Sequence, residues 1–335
     1  MIYGYKGNDT IDGGDGSDFI VGGAGKDVLN GGEGADTLEG GVGKDTYIVD
    51  NAGDVITEYS DEGTDSVLSS VTYTLSDNVE NLTLTGDNDI DGTGNGLNNL
   101  IIGNTGNNIL DGGLGKDKLK GGDGDDTYIV DLTATGKLQD TIIEVAANGN
   151  DTLQLRGEVV LDTARTLKLA PNLENLDASA TGTTKLNLTG NAWDNHLTGN
   201  DADNILNGGK GDDTLDGGAG NDTLTGGNDD DNFVFSTALD DTTNIDTITD
   251  FTSGPDLIQL SSAIFTSLGV GVLASDSFYI GSSGADDSND YIIYNASTGA
   301  LYYDADGDGI LADQVQFATL TGAPTIANTD FIVVA

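Results

Sequence analysis

Asp9, Asp18, Asp27, Asp36 and Asp45 stand nine residues apart, each at the sixth place of the pattern G-G-x-G-x-D-x-U-x, where U is a large apolar residue. The glycines release the backbone from the limits a Cβ imposes, so several carbonyls can converge near one carboxylate. Carboxylate and carbonyl oxygens at short range are what a hard cation such as calcium selects, with about 6–8 ligands at about 2.3–2.6 Å. The same beat returns twice. It starts at Gly94, Gly103, Gly112 and Gly121, with Asn99, Asn108, Asp117 and Asp126 in sixth place. It starts again at Gly190, Gly199, Gly208, Gly217 and Gly226, with Asn195, Asn204, Asp213, Asp222 and Asp231.

Ligands for one ion should come from turns on the same edge of the stack, two repeats and hence 18 residues apart. That pairs Asp9 with Asp27, Asp18 with Asp36 and Asp27 with Asp45 in the first block. It pairs Asn99 with Asp117 and Asn108 with Asp126 in the second, and Asn195 with Asp213, Asn204 with Asp222 and Asp213 with Asp231 in the third. An amide offers only a neutral oxygen, so the asparagine positions should hold an ion more weakly. Roughly six to nine calcium ions follow from these pairs and the ligand demand. A further run, "DADGDG", places Asp304, Asp306 and Asp308 at the spacing of an EF-hand loop, but the twelfth place is Val315. It is read as a Gly/Asp hairpin turn between strands, with an additional calcium site as the alternative.

A nine-residue unit cannot bury its own apolar face, and stacking solves this. The tripeptide x-U-x is a minimal strand, and two repeats make one 18-residue coil with a strand on each side. Strands stack about 4.8 Å apart. Aspartates in register at that spacing repel by roughly 1 kcal/mol per pair in water, and more when desolvated. The thin core between two rows of U residues offsets this poorly, and a divalent cation reverses its sign.

A longer repeat lies above the short one. The blocks exit through "DTYIVD", "DTYIVD" and "DNFVFS", followed by "DVITE", "DTIIE" and "DTITD" and then "GTD", "GND" and "GPD". The expected organisation is a repeat block at residues 1–50, a connecting β segment at 51–93, a second block at 94–131 and a connecting segment with an insertion at 132–189. A third block at 190–235 and a C-terminal β cap at 236–335 complete it. Aromatic residues gather in the cap, which can bury an ordinary core; Tyr47, Tyr128 and Phe233 are expected to pack where each block ends. The lone Trp193 and His196 are expected to pack at the start of the third block.

Composition narrows the function classes. The net charge is −45, from 57 acidic and 12 basic residues, which excludes nucleic acid as a natural partner. There is no cysteine, hence no disulfide or thiol chemistry. No apolar run is long enough for a membrane span. H-E-x-x-H, G-x-S-x-G and P-loop motifs are absent, and no catalytic role is assigned to any residue. The first residues already belong to a repeat, so the chain is expected to be the C-terminal part of a longer protein.

These fourteen in-phase copies resemble the nonapeptide repeats of RTX proteins, and "VENLTLTG" and the final "DFIVVA" resemble the connecting and C-terminal secretion segments of that family. The resemblance implies an all-β fold, a parallel β-roll or β-solenoid filled with calcium. It also implies type I secretion, in which the chain meets the export machinery unfolded and folds outside the cell, as a secreted or cell-surface protein. The function implied is a calcium-binding structural module of an exported protein. The alternative is an accessory module of a polysaccharide-acting exoenzyme, similar to those attached to alginate epimerases or RTX proteases, with a polysaccharide or cell-surface partner.

Overall fold

A computed structural model describes residues 1–145, 149–281, 289–307 and 314–335. The chain divides into two compact units, Met1–Thr133 with Leu138–Gln154, and Ala134–Lys137 with Leu155–Ala335. Among the described residues the only helical elements are three single 3-10 turns, Ser179–Thr181, Ser275–Ser277 and Asn328–Asp330.

In the first unit consecutive strands never pair with each other. The chain crosses from one sheet to another and returns one coil later, so neighbours in a sheet are parallel. Phe19–Gly25 lies between Ile2–Lys6 and Thr37–Gly43, and Ile20 is level with Leu38, one 18-residue coil on. On another sheet Thr10–Asp12, Val28–Asn30, Thr46–Val49, Ser66–Ser69, Asn81–Leu84, Leu100–Ile102, Lys118–Lys120 and Thr141–Ile142 stack in that order. One apolar residue from each of the first seven strands forms an inward column: Ile11, Leu29, Tyr47, Val67, Leu82, Ile101 and Leu119 stand in register, and all are buried. Alternation does this: with a side-chain period of two, the middle residue of x-U-x faces in while its flanks face out.

The same column crosses the segment between the blocks. Tyr47 is level with Val67, Val67 with Leu82, and Leu82 with Ile101. The offsets there are 20, 15 and 19 residues instead of 18. The loops change length while the strands hold register, because a slip of one residue would turn every apolar side chain outward.

The second unit starts in the same way. Arg165–Lys168, Leu186–Thr189, Ile205–Lys210, Thr223–Asn228 and Asp246–Ile248 stack parallel on one sheet. Asn175–Asp177, His196–Asn200, Thr214–Gly218, Asn232–Phe235 and Leu257–Ser261 stack on another. The last strands then change the rule. Val315–Leu320 adds in parallel to Asp246–Ile248 but is followed by the antiparallel Ala300–Tyr303 and Ile292–Asn295. Phe331–Val334 adds in parallel to Leu257–Ser261 and carries the short antiparallel strand Gly271–Val272. Aromatic edges fill this end: Phe265 lies 5.0 Å from Tyr303 and 5.3 Å from Phe317, and Phe317 lies 5.0 Å from Phe235, between ring centres. Here a conventional core does what the thin column does elsewhere.

Candidate metal centres along the turns

All eight predicted pairs are in contact, through one recurring bond. The backbone N–H of the earlier residue donates to Oδ1 of the aspartate one coil on. The distances are 2.8 Å for Asp9 to Asp27, 2.7 Å for Asp18 to Asp36 and 2.8 Å for Asp27 to Asp45. They are 2.6 Å for Asn99 to Asp117 and 2.8 Å for Asn108 to Asp126. In the third block they are 2.7 Å for Asn195 to Asp213, 2.7 Å for Asn204 to Asp222 and 3.0 Å for Asp213 to Asp231. One carboxylate oxygen is thereby fixed by the coil before it.

The other oxygen is left over. Oδ2 of Asp9, Asp27, Asp36, Asp45, Asp117, Asp126, Asp213 and Asp222 is buried and has no hydrogen-bond partner. A buried anionic oxygen without a donor is costly, and most buried polar atoms in native chains have a partner. Here the vacancy of donors repeats along a row. The first glycine of each repeat makes room beside it: a Cβ on Gly22 would stand 2.5 Å from Asp27 Oδ2 and 2.8 Å from the carbonyl oxygen of Gly40. A spare carboxylate oxygen and a backbone carbonyl of the next coil thus face the same small space. That donor set, oxygen only and anionic, fits calcium.

The asparagine positions are built differently. In these repeats the second glycine is also replaced by asparagine, as Asn95, Asn104, Asn191 and Asn200. Oδ1 of Asn108 accepts the Asn104 N–H at 2.8 Å, and Nδ2 of Asn108 donates to the Ile90 carbonyl at 2.6 Å and to Asn104 Oδ1 at 2.9 Å. Asn204 repeats this with Asn200 N–H at 2.9 Å, the Leu186 carbonyl at 2.8 Å and Asn200 Oδ1 at 3.1 Å. The amide N–H2 points at the oxygens that a cation would otherwise gather. Asn99 and Asn195 also turn Nδ2 toward carbonyls of the preceding coil, Glu80 and Glu174, both at 3.2 Å.

The row runs further than the nonapeptides do. Asp36 N–H donates to Asp54 Oδ1 at 3.0 Å, Asp45 to Asp65 at 2.8 Å, Asp117 to Asp140 at 2.9 Å and Asp126 to Asp151 at 2.8 Å. In the second unit Asp222 donates to Asp246 at 3.0 Å and Asp231 to Asp256 at 3.1 Å. Sequence reasoning missed these six acceptors because five of them depart from a spacing of 18, and Asp54, at 18, stands outside any nonapeptide. The signal was present as the first Asp of "DVITE", "DTIIE" and "DTITD" and the last of "GTD", "GND" and "GPD".

Burial pushes several acids of the row up. Asp126, Asp213 and Asp231 are raised to about 7 and Asp45 to about 6, mainly by desolvation, while the backbone N–H bond pulls the other way and neighbouring carboxylates add repulsion. Asp222 with Asp246, and Asp117 with Asp140, are also raised, by burial. In the unfolded chain an aspartate titrates at about 3.9. The metal-free fold therefore holds protons that the unfolded chain has lost. Its stability should be highest below about pH 4 and fall as pH rises to about 7. The urea midpoint measured in chelator from pH 4 to 8 checks this. Calcium added to unbuffered protein at pH 6 should release protons; neutral pH-stat traces would contradict it.

At the C-terminal end, Asp304 is buried and its Oδ1 accepts the Gly307 N–H at 3.0 Å. Tyr303 stands opposite Val315 in the antiparallel pair, so the run connects two adjacent strands. Asp306 is exposed, and Asp308 lies outside the described residues. Trp193 and His196 correct the packing expectation: Trp193 is 58% exposed, beside Lys168 and Pro171, and His196 is exposed too. They fill the fourth and seventh places of a repeat, both of which face outward, and the apolar eighth place is the buried Leu197.

Fold and repeats define a parallel β-solenoid whose turns carry a row of paired aspartates. The family described as RTX calcium-binding nonapeptide repeat (4 copies) matches residues 1–29, 12–47, 21–56, 93–128 and 188–233. In these blocks the chain carries RTX calcium-binding nonapeptide repeats wound as a parallel β-roll, and such repeats imply a calcium-binding module. A comparison with the curated proteins finds no match. Among solved structures the chain is similar to the extracellular lipase LipA from Serratia marcescens, at 17% identity and a TM-score of 0.27. The alignment covers 82% of this chain and 45% of the lipase, so the chain spans under half the length of that relative. No helix among the described residues is long and apolar enough to cross a membrane.

Proposed function

We propose that the chain is a calcium-dependent structural module of an exported protein, one that folds where calcium is abundant. The observation that carries this is the row of buried, unpartnered Oδ2 atoms, fixed through the other oxygen to the previous coil at every position but Asp9, the first of the row. Asp9, Asp18, Asp27, Asp36, Asp45, Asp117, Asp126, Asp213, Asp222 and Asp231 are the carboxylates that would hold the ions, with carbonyl oxygens of the adjacent turns. Calcium, when bound, supplies the positive charge that these oxygens lack. The chain's own part is to preset the oxygens through the backbone N–H bonds and to keep the space open with glycine. Asn99, Asn108, Asn195 and Asn204 close their own coils with amide hydrogen bonds and need no ion. A fold that depends on calcium stays unfolded where calcium is scarce, which suits passage through a type I export channel followed by folding outside.

Equilibrium dialysis against radiocalcium tests the reading. Several ions should bind per chain, and Asp27→Asn with Asp36→Asn should lower the number. A chain that binds no calcium at neutral pH sinks it.

A further inference from the structure

At two places a glutamate joins two aspartates of the row. Asp45, Glu58 and Asp65 present one oxygen each within 4.8 Å of one another, and Asp126, Glu144 and Asp151 do the same. Calcium–oxygen distances of about 2.3–2.6 Å put ligands on opposite sides of one ion about 5 Å apart, so each group matches a single ion. Asp45, Glu58 and Asp65 are all more than nine-tenths buried. Asp45 Oδ2 and Glu58 Oε2 have no hydrogen-bond partner.

Both groups share a frame. The Tyr47 hydroxyl binds Glu58, the Tyr128 hydroxyl binds Glu144, and both rings are buried. A Cβ on Gly40 would meet Asp45 Oδ2 at 2.6 Å, Glu58 Oε1 at 2.6 Å and the Tyr47 hydroxyl, so the absence of that Cβ keeps the space open. Gly121 plays the same part beside Asp126 and Tyr128.

The third block supplies an internal contrast. Phe233 stands where the others have tyrosine, and Asp250 where they have glutamate. Both Asp250 oxygens are occupied, by the N–H groups of Gly226 at 3.1 Å and Gly227 at 3.0 Å. Asp256 is occupied too, by the N–H of Asp231 at 3.1 Å and of Thr252 at 2.7 Å. The same location is sealed there by hydrogen bonds, whereas the first block leaves two anionic oxygens open to one space.

We propose that the first two blocks each end in a calcium site made of three carboxylates, Asp45, Glu58 and Asp65 in one and Asp126, Glu144 and Asp151 in the other, and that the third block has no counterpart. This deepens the calcium reading above and rests on it. Three carboxylates around one divalent ion bring more negative charge than a single carboxylate with carbonyls, so these sites fill first and empty last. They lie where Tyr47 and Tyr128 close the last coil of a block, and so pin the junction at which the coils pass into the connecting strands.

The test counts calcium per chain, on the full chain, with Glu58→Gln and Glu144→Gln. Each change should remove one ion, and the pair two, one for each group, with strand circular dichroism retained at saturating calcium. An unchanged count in the folded variants overturns the proposal and leaves the row of aspartates standing; a wild-type chain that binds no calcium fails the broader reading instead. Should the glutamine variants not fold, Tyr47→Phe with Tyr128→Phe carries the test, since Phe233 occupies the matching position in the third block. Terbium replaces calcium as the probe, and emission excited through tyrosine should fall severalfold in that variant. Emission equal to the wild type would place no ion beside these rings and overturn the proposal.

Discussion

Chelating calcium at pH 8 should abolish most of the strand circular dichroism of this protein, and returning millimolar calcium should restore it. The reason is electrostatic. Among the described residues nine buried carboxylate oxygens lack any donor, eight on aspartates and one on Glu58, and the chain carries a net charge of −45. At that pH the acids raised to about 7 must ionise in place or the fold must open. Each ion bound only by the folded chain contributes about 2.7 kcal/mol at a hundredfold excess over its dissociation constant. Four such ions would add about 11 kcal/mol, which is the order of a whole domain's stability. Hydrogen exchange should show the loss is uneven. Amides of Asp9, Asp18 and Asp27, which bond to aspartate oxygens, should lose protection before those of the strands Ile292–Asn295 and Val315–Leu320, which lie over an aromatic core. Strand signal indifferent to chelator would refute the calcium-dependent fold.

Asn108→Ala should cost the first unit about 2–4 kcal/mol, and the cost should be the same with calcium at any concentration that keeps the chain folded. The side chain makes three buried hydrogen bonds, to Asn104 N–H, the Ile90 carbonyl and Asn104 Oδ1. Each is worth about 0.5–1.5 kcal/mol net. Asp27→Ala should behave in the opposite way, destabilising at high calcium but little where calcium is too scarce to fill the site. Asn108→Asp makes a sharper contrast. Its carboxylate would face the Ile90 carbonyl and Asn104 Oδ1 with no hydrogen to offer, so a coil stable without metal should come to need it. Urea midpoints at two calcium levels measure all three. An Asn108→Ala penalty that vanishes on calcium depletion would mean that the amide serves an ion after all.

Much of this molecule was legible early. The eighth-place residues Ile20, Leu29, Leu38, Leu110 and Leu119 are all fully buried, as a period-two strand of three residues requires. The paired aspartates were legible for the same reason: a constant repeat makes a constant rise, so residue i and residue i+18 must meet. Trp193 misled because a large aromatic suggests packing, although its fourth place in the repeat points outward. Glu58, Asp65, Glu144 and Asp151 were hidden because the loops before them differ in length, and charge in a loop says nothing of where it folds back.

The amino-acid sequence alone determined the coil, its inward column and the aspartate on each turn, since all three depend on local geometry repeated at one period. Only the tertiary structure decided that the ladder runs unbroken from the first block into the second. Only it, too, showed the amide pairs taking the cation's place, and three carboxylates from unequal loops converging beside Gly40. Those outcomes depend on which strand pairs with which, and pairing across sequence offsets of 15 to 25 residues is chosen by the burial of whole columns, not by any single repeat.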